Sequence, residues 1–306
     1  MHLDSEYSEY TVLKPEARED FILTPFLEGI MKRALAYLKG GFPVHFSGPA
    51  GSGKTTLALY VASRLDRPLV AIYGDEEYRT VDLLGGGNGY RLSKTVDNFI
   101  HSVLKVDESM AKRWVDHRLS LACKNGYTLL YDEFNRSRPE ANNVLLSVLE
   151  EGLLCMPSSY TGGNTYQAVH SDFRVIFTSN PMEYAGIHDT QDALLDRMVT
   201  INLTYPDSET EVKIAQAKSG LPSEDVETVV KIVRGLRERN RNHRRPTLRA
   251  SITISKISAQ EGIPVSLERD FLEICSDIIG ASSSNGSSLT LEDIRPYFPN
   301  KGDRTR

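Results

Sequence analysis

Short apolar runs alternate with longer amphipathic segments along the first two thirds of the chain. The segment PFLEGIMKRALAYLKGG places Phe26, Ile30, Leu35 and Leu38 at helical spacing and ends on two glycines, which predicts a helix before the first strand. The apolar runs that follow have the length of buried strands. They are PVHFS at 43–47, PLVAIY at 68–73, YTLLY at 127–131, FRVIFT at 173–178 and MVTINL at 198–203.

This alternation predicts the fold class. Strands separated by helical segments cannot pair as hairpins, so the pattern predicts an α/β fold with a five-stranded parallel sheet and helices on both faces. From about residue 207 the strand-like runs stop and helical patterns continue, which predicts an α/β domain at 21–206 and a small all-helical domain at 207–281. Ser208 followed by Glu211 fits a capping box at the start of that helical domain.

The ends of the chain are polar. Residues 1–20 are predicted to form a polar arm, and residues 282–306 a flexible tail that follows the linker-like ASSSNGSS at 281–288. The acidic N-terminus lacks the basic start and apolar middle of a secretory signal, and no stretch approaches the roughly 18 apolar residues of a membrane span. The sequence therefore predicts a cytoplasmic protein with no membrane partner.

Composition narrows the choice of partner and cofactor. The 306 residues carry a formal net charge of −5, which argues against a protein that coats nucleic acid. The three cysteines, Cys123, Cys155 and Cys275, are too widely spaced for a disulfide framework or a zinc knuckle and are interpreted as core residues.

The first chemical motif follows the run at 43–47. The residues GPAGSGKT fit the pattern G-x-x-x-x-G-K-[ST] between a strand and a helix, where backbone N–H groups and the helix N-terminus hold phosphate oxygens. Lys54 is expected to reach the β- and γ-phosphates, and the Thr55 hydroxyl to ligate Mg²⁺. The predicted phosphate-binding residues are Gly48, Pro49, Ala50, Gly51, Ser52, Gly53, Lys54 and Thr55.

A second motif favours hydrolysis over mere nucleotide binding. The run at 127–131 ends in Asp132 and Glu133, at the carboxyl edge of a strand where open α/β sheets bind ligands. Asp132 is expected to hold Mg²⁺ and Glu133 to act as general base towards the attacking water. A third polar residue, Asn180, follows the run at 173–178 and carries an amide suited to orienting that water.

The order of these motifs, with Leu-Asp-Arg at 195–197 and a late arginine at 249, resembles the AAA+ ATPases and within them the MoxR branch. The blocks GDEEYRTVDLLGG, WVDHRLSLACKNG, YDEFNRSRPEANNVLLSVLEE and FTSNPMEYAGIHDTQDALLDRM are closer still to the GvpN family of gas vesicle proteins. The resemblance is strong over residues 20–205, looser to about 280, and does not cover the terminal arms.

The resemblance implies a Mg·ATP hydrolase that self-associates into a ring or partial ring. Arg197 matches the arginine finger that a neighbouring subunit donates, and Arg249 matches the second sensor of the helical lid. Such a finger is worth about 10³–10⁵ in rate. Arg136 and Arg138 are the alternative donors. Tyr131 departs from the family pattern, which has an aliphatic residue before the aspartate, and Thr247-Leu248-Arg249-Ala250 only partly matches the usual Ser-Pro-Arg-Ala.

The resemblance further implies that ATP turnover assists gas vesicle formation by remodelling shell or accessory proteins. Two other functions stay open: a nucleic-acid motor that uses the basic run RERNRNHRR at 237–245, and a structural vesicle component that binds ATP without cycling. The glycine-rich segment at 85–88 and the LSKTVDNFIHSVLKV that follows are expected to form packed helix, or else an insert that contacts the client protein.

Overall fold

The computed structural model describes residues 12–14, 21–97, 105–156, 165–181, 188, 192–239, 245–280 and 289–298. Within this part of the chain, no helix is both long enough and apolar enough to cross a bilayer. The strands are β1 (Val12–Leu13), β2 (Val44–Ser47), β3 (Leu69–Tyr73), β4 (Gly85–Asp97), β5 (Lys105–Asp116), β6 (Thr128–Asp132), β7 (Leu153–Cys155), β8 (Tyr166–Ala168), β9 (Arg174–Ser179) and β10 (Val199–Asn202).

Helices account for most of the remaining described residues. Short helices follow the strands, and the longer ones lie at the start of the chain and in its last third. They are α1 (Pro25–Lys39), α2 (Lys54–Ser63), α3 (Thr80–Leu84), α4 (Arg118–Asn125), α5 (Pro139–Asn142), α6 (Val144–Glu150), α7 (Asp192–Leu195), α8 (Ser208–Ser219), α9 (Ser223–Arg239), α10 (Leu248–Glu261), α11 (Arg269–Cys275) and α12 (Leu291–Ile294).

The central sheet confirms the predicted α/β fold. Its strand order is β1-β3-β6-β9-β2-β10, and the five strands predicted from sequence pair in parallel. All five residues of β6 are buried, as expected for a central strand covered on both faces. Because β9 lies between β2 and β6, the carboxyl ends of three neighbouring strands meet at one edge of the sheet.

The sheet has a sixth strand that the sequence did not predict. Val12 and Leu13, within the expected polar arm, pair antiparallel with Val70 and Leu69 of β3. Two residues are too few to show an alternating pattern, so the edge strand left no periodic signal in the sequence.

The helical interpretation of the segment after Gly85 is wrong for its described residues. β4 and β5 form a separate antiparallel ribbon, in register from Gly85↔Asp116 to Asp97↔Lys105 with an irregularity between Gly87 and Tyr90. The consecutive glycines disfavour helix, and β-branched residues such as Thr95, Val96 and Val106 favour strand. The residues between the two strands lie outside the described part of the chain.

The chain folds into two compact units. The first contains the described residues of Met1–Ala17, Arg33–Ser47 and Thr55–Asn202, and the second those of Arg18–Lys32, Gly48–Lys54 and Leu203–Arg306. The core of the first unit lies around β3, β6 and β9, with Tyr131, Phe134 and Phe177 among its fully buried side chains. The second unit has two cores, one around Ile254 and Phe271 and a smaller one around Val226.

The start of α8 corrects the predicted capping box. The N-cap is Asp207, whose carboxylate accepts a hydrogen bond from the N–H of Thr210 at 2.7 Å, and Ser208 is the first helical residue. Glu211 does not turn back to the helix start. Its fully buried carboxylate pairs with Arg237 at 2.6 Å and Arg234 at 3.3 Å, because two arginines of α9 satisfy it better than one backbone N–H.

Two further expectations differ from the structure. Cys123 and Cys275 are buried, as expected, but Cys155 is exposed at the end of β7, a three-residue strand with only one buried residue. Part of the predicted C-terminal tail is ordered, since α12 and the 3₁₀ turn Arg295–Tyr297 follow Thr290 and Ile294 is fully buried. The linker-like 281–288 lies outside the described residues.

Candidate functional site

The glycine-rich loop joins β2 to α2 and is shaped by its glycines. Gly51 has φ +75° and Gly53 φ +85°, in the left-handed region that glycine adopts without strain. A Cβ at Gly51 would lie 2.4 Å from the Cβ of Thr247, so space as well as conformation excludes a side chain. Ser52 closes the loop, donating from N–H and from Oγ to the carbonyl of Pro49 at 3.3 and 2.9 Å.

Lys54 is largely buried and its ammonium group lies over the loop. Nζ donates to the carbonyl oxygens of Gly48 at 2.8 Å and Pro49 at 2.9 Å. Within the loop, Gly48 is buried and Ala50 is exposed. The predicted loop residues thus form one compact hydrogen-bonded turn with a cation at its centre.

Thr55 and Asp132 come together although 77 positions separate them. The Thr55 hydroxyl, in the first turn of α2, donates to Asp132 Oδ1 at 2.8 Å and Oδ2 at 3.0 Å. Asp132 is the last residue of β6 and is only 6% exposed. A hydroxyl and a carboxylate side by side are the oxygen ligands that Mg²⁺ prefers. Among the described residues no group of three or more His, Cys, Asp or Glu could hold a metal ion.

Glu133 adopts an uncommon backbone conformation directly after Asp132. Its φ of 52° and ψ of 41° lie in the left-handed region, which costs a non-glycine residue about 1–2 kcal/mol. The turn is held from one side by Gly74, whose N–H donates to the Asp132 carbonyl at 2.7 Å. A Cβ at Gly74 would lie 2.0 Å from the Glu133 carbonyl oxygen, so only glycine fits against this turn.

The side chain of Glu133 is half-exposed and has a cationic neighbour. Arg136 Nε lies 2.6 Å from Glu133 Oε2, an ion-pair contact in which the N–H is not aligned for a hydrogen bond. Both side chains are about 40% exposed, at 43% for Glu133 and 38% for Arg136, so solvent screens the pair. The carboxylate can exchange this contact for water.

Tyr131, the departure from the family pattern, has a structural explanation. Its fully buried hydroxyl donates to Asn142 Oδ1 at 3.0 Å and lies 2.8 Å from Ser137 Oγ, and the Asn142 amide nitrogen in turn donates to the carbonyl of Phe134 at 3.2 Å. Burial raises the pKa of Tyr131 to about 12, which keeps the hydroxyl protonated as a donor. An aliphatic residue at this position could not make these hydrogen bonds to the segment that follows Glu133.

Asn180 lies one residue beyond β9 and is largely buried. Its carbonyl accepts a hydrogen bond from the Asn135 amide at 3.4 Å, which connects it to the 3₁₀ turn Phe134–Arg136. Because β9 is the neighbour of β6, the ends that carry Asn180 and Asp132 lie at the same edge of the sheet. The structure thus gathers Thr55, Asp132, Glu133 and the strand end before Asn180 in one place.

Of the candidate arginine fingers, Arg136 contacts this cluster through Glu133, whereas Arg197 and Arg138 pair with acids outside it. Arg197 is bound to Glu150, with Nε donating to Oε2 at 3.0 Å, and it also donates to the carbonyl of Ala193. Arg138 lies 3.7 Å from Glu76, and Arg136 pairs with Glu133. Arg249 is exposed in the first turn of α10.

Sequence reasoning missed two residues at the site, Thr178 and Gly74. Thr178 is fully buried next to the end of β9, accepts the N–H of Glu133 at 2.9 Å and donates to Asp132 Oδ1. Asn180 was predicted from its amide and from its place in the order of motifs, whereas a threonine within a strand gives no such signal. A signal existed for Gly74, since a glycine that ends a strand marks a close backbone approach.

A buried histidine supports the sheet near this edge. His45 of β2 lies between Thr200 Oγ1, 3.0 Å from Nδ1, and Ser179 Oγ, 2.8 Å from Nε2, and packs edge-on against Phe134 with ring centroids 5.3 Å apart. Burial lowers its pKa to about 4, so the imidazole is neutral near pH 7. A neutral ring can donate through one nitrogen and accept through the other, which suits two hydroxyl partners.

The sequence of this chain is similar to that of known ATPases. Residues 43–198 match the AAA domain of the dynein-related subfamily. The chain is 45% identical to the "Gas vesicle ATPase GvpN" of Ancylobacter aquaticus over 277 residues, which cover 90% of this chain and 77% of that protein. It is 26% identical to the MoxR-type protein NorQ of Paracoccus denitrificans, over 64% of this chain and 66% of that one.

Among solved structures, a RuvB variant from Thermotoga maritima is similar with a TM-score of 0.55 and 16% identity, covering 90% of this chain and 77% of that one. At this identity the likeness shows the fold alone. The matches in sequence extend across the glycine-rich loop, the Asp-Glu strand end and the strand before Asn180. The chain therefore belongs to the GvpN family of gas vesicle ATPases, ATP-hydrolysing enzymes of the MoxR type among the AAA+ proteins.

Proposed function

We propose that this chain is a Mg²⁺-dependent ATPase whose turnover assists gas vesicle assembly by remodelling vesicle shell or accessory proteins. The observation that carries the proposal is the contact between Thr55 and Asp132, with Glu133 directly after it, in a chain that is 45% identical to a gas vesicle ATPase. A passive nucleotide sensor needs the glycine-rich loop but not this pair of acids.

The loop Gly48–Thr55 would bind the phosphates of the nucleotide. The left-handed conformations of Gly51 and Gly53 are of the kind that lets backbone N–H groups face a bound phosphate, and the start of α2 adds the positive end of a helix dipole. Lys54 is positioned to exchange the carbonyls of Gly48 and Pro49 for phosphate oxygens, which bind an ammonium more strongly because they are charged.

Thr55 and Asp132 would hold the metal ion. When bound, Mg²⁺ supplies positive charge that offsets the negative charge of the phosphates. The Thr55 hydroxyl would bind the cation through an oxygen lone pair while its proton stays directed at the Asp132 carboxylate. The burial of Asp132 limits competition from bulk water.

Glu133 would act as general base and Asn180 would orient the attacking water. For Glu133 this requires that its carboxylate leave Arg136, a change that is small in energy because the pair is half-exposed. Arg197 would be donated to the nucleotide of a neighbouring subunit in a ring or partial ring, and Arg249 would act from the helical lid at 207–281 on the nucleotide domain at 21–206.

The proposed client is supported by the name of a relative. The protein from Ancylobacter aquaticus is named a gas vesicle ATPase. That name supports vesicle shell or accessory proteins as the substrate of remodelling, in the cytoplasm or on the vesicle.

Vesicle formation in cells that lack the native gene product tests the proposal. Cells are complemented with the wild-type chain, Glu133→Gln, or the control Glu140→Gln, which changes an exposed carboxylate seven positions away. Glu133→Gln is expected to bind ATP and give no vesicles, and Glu140→Gln to give wild-type numbers. Normal vesicles with Glu133→Gln would instead identify a structural component that binds ATP without cycling.

A nucleic-acid motor is the weaker candidate. Of the basic run at 237–245, Arg237 is 7% exposed and its guanidinium is bound to Glu211 and to the carbonyl of Pro246, so it cannot contact a phosphate backbone. Residues 240–244 lie outside the described part of the chain. Salt-dependent DNA binding that is lost on neutralising Arg244 and Arg245 would favour this candidate.

A further inference from the structure

The hydroxyl of Thr178 joins the two consecutive acids of the site. It accepts the backbone N–H of Glu133 at 2.9 Å and donates to the carboxylate of Asp132 at Oδ1. Thr178 is one residue beyond the last paired position of the two strands, Tyr131↔Phe177, and is fully buried. One side chain of β9 therefore contacts both residues that follow Tyr131.

The direction of each hydrogen bond is fixed by chemistry. A hydroxyl has one proton and two acceptor lone pairs. The Glu133 N–H can only donate, so it occupies a lone pair of Thr178 Oγ1, and the single hydroxyl proton is left for the Asp132 carboxylate. The two hydrogen bonds depend on each other. A rotation of the Thr178 hydroxyl that breaks its bond to Asp132 also turns its lone pair away from the Glu133 N–H.

These contacts act on two features that the proposed chemistry needs. The first is the orientation of the Asp132 carboxylate, which also accepts from the Thr55 hydroxyl. A metal ion bound by Thr55 would also take a lone pair of that hydroxyl and restrict how it faces Asp132, whereas the Thr178 hydroxyl is directed by its contacts with the two acids. The second is the left-handed backbone of Glu133, which determines where its carboxylate points.

We propose that Thr178 is a positioning residue of the ATPase reaction, whose hydroxyl sets the direction of the Asp132 carboxylate and holds the backbone turn that places Glu133. The proposal rests on the metal-binding and general-base roles proposed above for those two acids. Thr178 is fully buried and acts through its two neighbours.

The key variant is Thr178→Val, which keeps the shape and the β-branching but removes the hydroxyl. It leaves the Glu133 N–H without its acceptor and removes one of the two hydroxyls that donate to Asp132 Oδ1, so that Thr55 alone donates there. Thr178→Ser keeps the hydroxyl and serves as the rescue. The matched control is Thr128→Val, the same change in β6, because Thr128 is also fully buried but its hydroxyl has no hydrogen-bond partner among the described residues.

Steady-state ATPase kinetics of the purified full-length chain give the first readout. For Thr178→Val we expect kcat to fall at least tenfold while KM for ATP changes less than threefold. Thr178→Ser and Thr128→Val are expected to stay within threefold of wild type in both constants. A kcat for Thr178→Val within twofold of wild type, or an equal loss in Thr178→Ser, would overturn the proposal.

Nucleotide binding gives a readout that does not depend on turnover. The affinity for a fluorescent ADP is measured with and without Mg²⁺, and the ratio reports how well the protein supports the ion. We expect Thr178→Val to lose most of the gain that Mg²⁺ gives the wild type, with its metal-free affinity unchanged. An unchanged ratio would contradict the orienting role towards Asp132.

Two comparisons keep the outcome unambiguous. If Thr178→Val fails to fold, Thr178→Ala and Thr178→Ser are compared instead, since they differ only in the hydroxyl. Asp132→Asn and Glu133→Gln are measured in parallel. If those two retain turnover, the proposed function itself fails; if they abolish turnover and Thr178→Val does not reduce it, only the positioning role fails.

Discussion

Gly74 shows how a single backbone position controls the Glu133 turn. Replacing it with alanine would place a methyl group 2.0 Å from the Glu133 carbonyl oxygen, so the turn must move. We expect Gly74→Ala to lower kcat at least tenfold with nucleotide binding preserved, because the glycine-rich loop is not touched. The control is Gly29→Ala in α1, where nothing lies within 4 Å and the helix gains up to about 1 kcal/mol.

Both glycine variants are compared by phosphate release at saturating ATP. Wild-type turnover in Gly74→Ala would mean that the position of the Glu133 backbone does not limit the reaction.

His45 gives a pH dependence to stability. Its pKa in the folded chain is about 4, below the unfolded value near 6.5, so the unfolded state binds the proton first as the pH falls. This histidine therefore contributes stability that is fully present above about pH 6.5 and is lost towards pH 4. At about 1.36 kcal/mol per pKa unit, the loss is about 3 kcal/mol.

Denaturant unfolding at pH 7.5, 5.5 and 4.5 measures that loss. His45→Gln is expected to be less stable than wild type at pH 7.5 and to show a shallower decline with falling pH. Parallel declines in the two proteins would remove His45 as the cause.

At the residue scale, the sequence was sufficient to predict the candidate site residues that are contiguous along the chain. The loop and the Asp-Glu pair are each contiguous, so their residue types and spacing were sufficient to find them. Thr178 is 45 positions from Glu133, and its contact exists only because β9 pairs with β6. Sequence patterns contain no information on which hydroxyl faces which neighbour across a sheet.

At the scale of elements, Tyr131 links β6 to the turn and helix that follow it. Tyr131→Phe removes one buried hydroxyl and leaves Asn142 Oδ1 without that donor. We expect it to lower the free energy of unfolding by about 1–2 kcal/mol. Equilibrium unfolding in urea is the measurement, and a loss below about 0.3 kcal/mol would show that the network does not stabilise the turn.

Helix α8 carries one buried and one exposed ion pair, and their effects on stability can be compared. Glu211→Gln would leave Arg237 buried without its anion, and losing one partner of a buried pair costs about 3–5 kcal/mol. Glu209→Gln, two positions earlier on the same helix, breaks only the exposed pair with Lys213 and should cost less than about 0.5 kcal/mol.

Unfolding in urea compares these two variants of α8. Equal losses would mean that burial does not decide the value of the ion pair.

Strands were predicted correctly where a continuous apolar run marks them, and were missed where no such run exists. The five parallel strands begin and end within one residue of their apolar runs, because each run is bounded by polar or turn residues. The edge strand β1 has only two residues, and the segment that forms the β4–β5 ribbon has no continuous apolar run and was interpreted as packed helix or a client-contacting insert. The predicted capping box at Ser208 was wrong because the Glu211 carboxylate accepts a hydrogen bond from Arg237 instead of the backbone N–H at the helix start.

For the whole molecule, the candidate arginine fingers predict that ATPase activity depends on self-association. Arg197, Arg136 and Arg138 each have an acidic partner within their own chain, so a finger donated to a neighbour must first exchange that partner. Specific ATPase activity is expected to rise with protein concentration, and Arg197→Ala should hold it at the low-concentration value. A rise that survives Arg197→Ala but disappears in Arg138→Ala would assign the finger to Arg138.

The order of motifs along the whole chain was more informative than any one of them. The glycine-rich loop, the Asp-Glu strand end, Asn180 and Arg197 occur in the AAA+ order, and the family matches confirm that assignment. The lid function of the helical segment, the ring and the vesicle client stay predictions, because they depend on contacts with the nucleotide, with other copies or with other proteins.

The most direct test of the proposed ATPase chemistry is single-turnover hydrolysis of ATP bound to Glu133→Gln. Wild type, Glu133→Gln and the control Glu140→Gln are loaded with equal ATP, and release of phosphate is followed after addition of Mg²⁺. Since general base catalysis contributes about 10²–10⁴ in rate, Glu133→Gln is expected to bind ATP as wild type does and to release phosphate at least a hundredfold more slowly. Equal rates in all three proteins would contradict the assignment of Glu133 as the base.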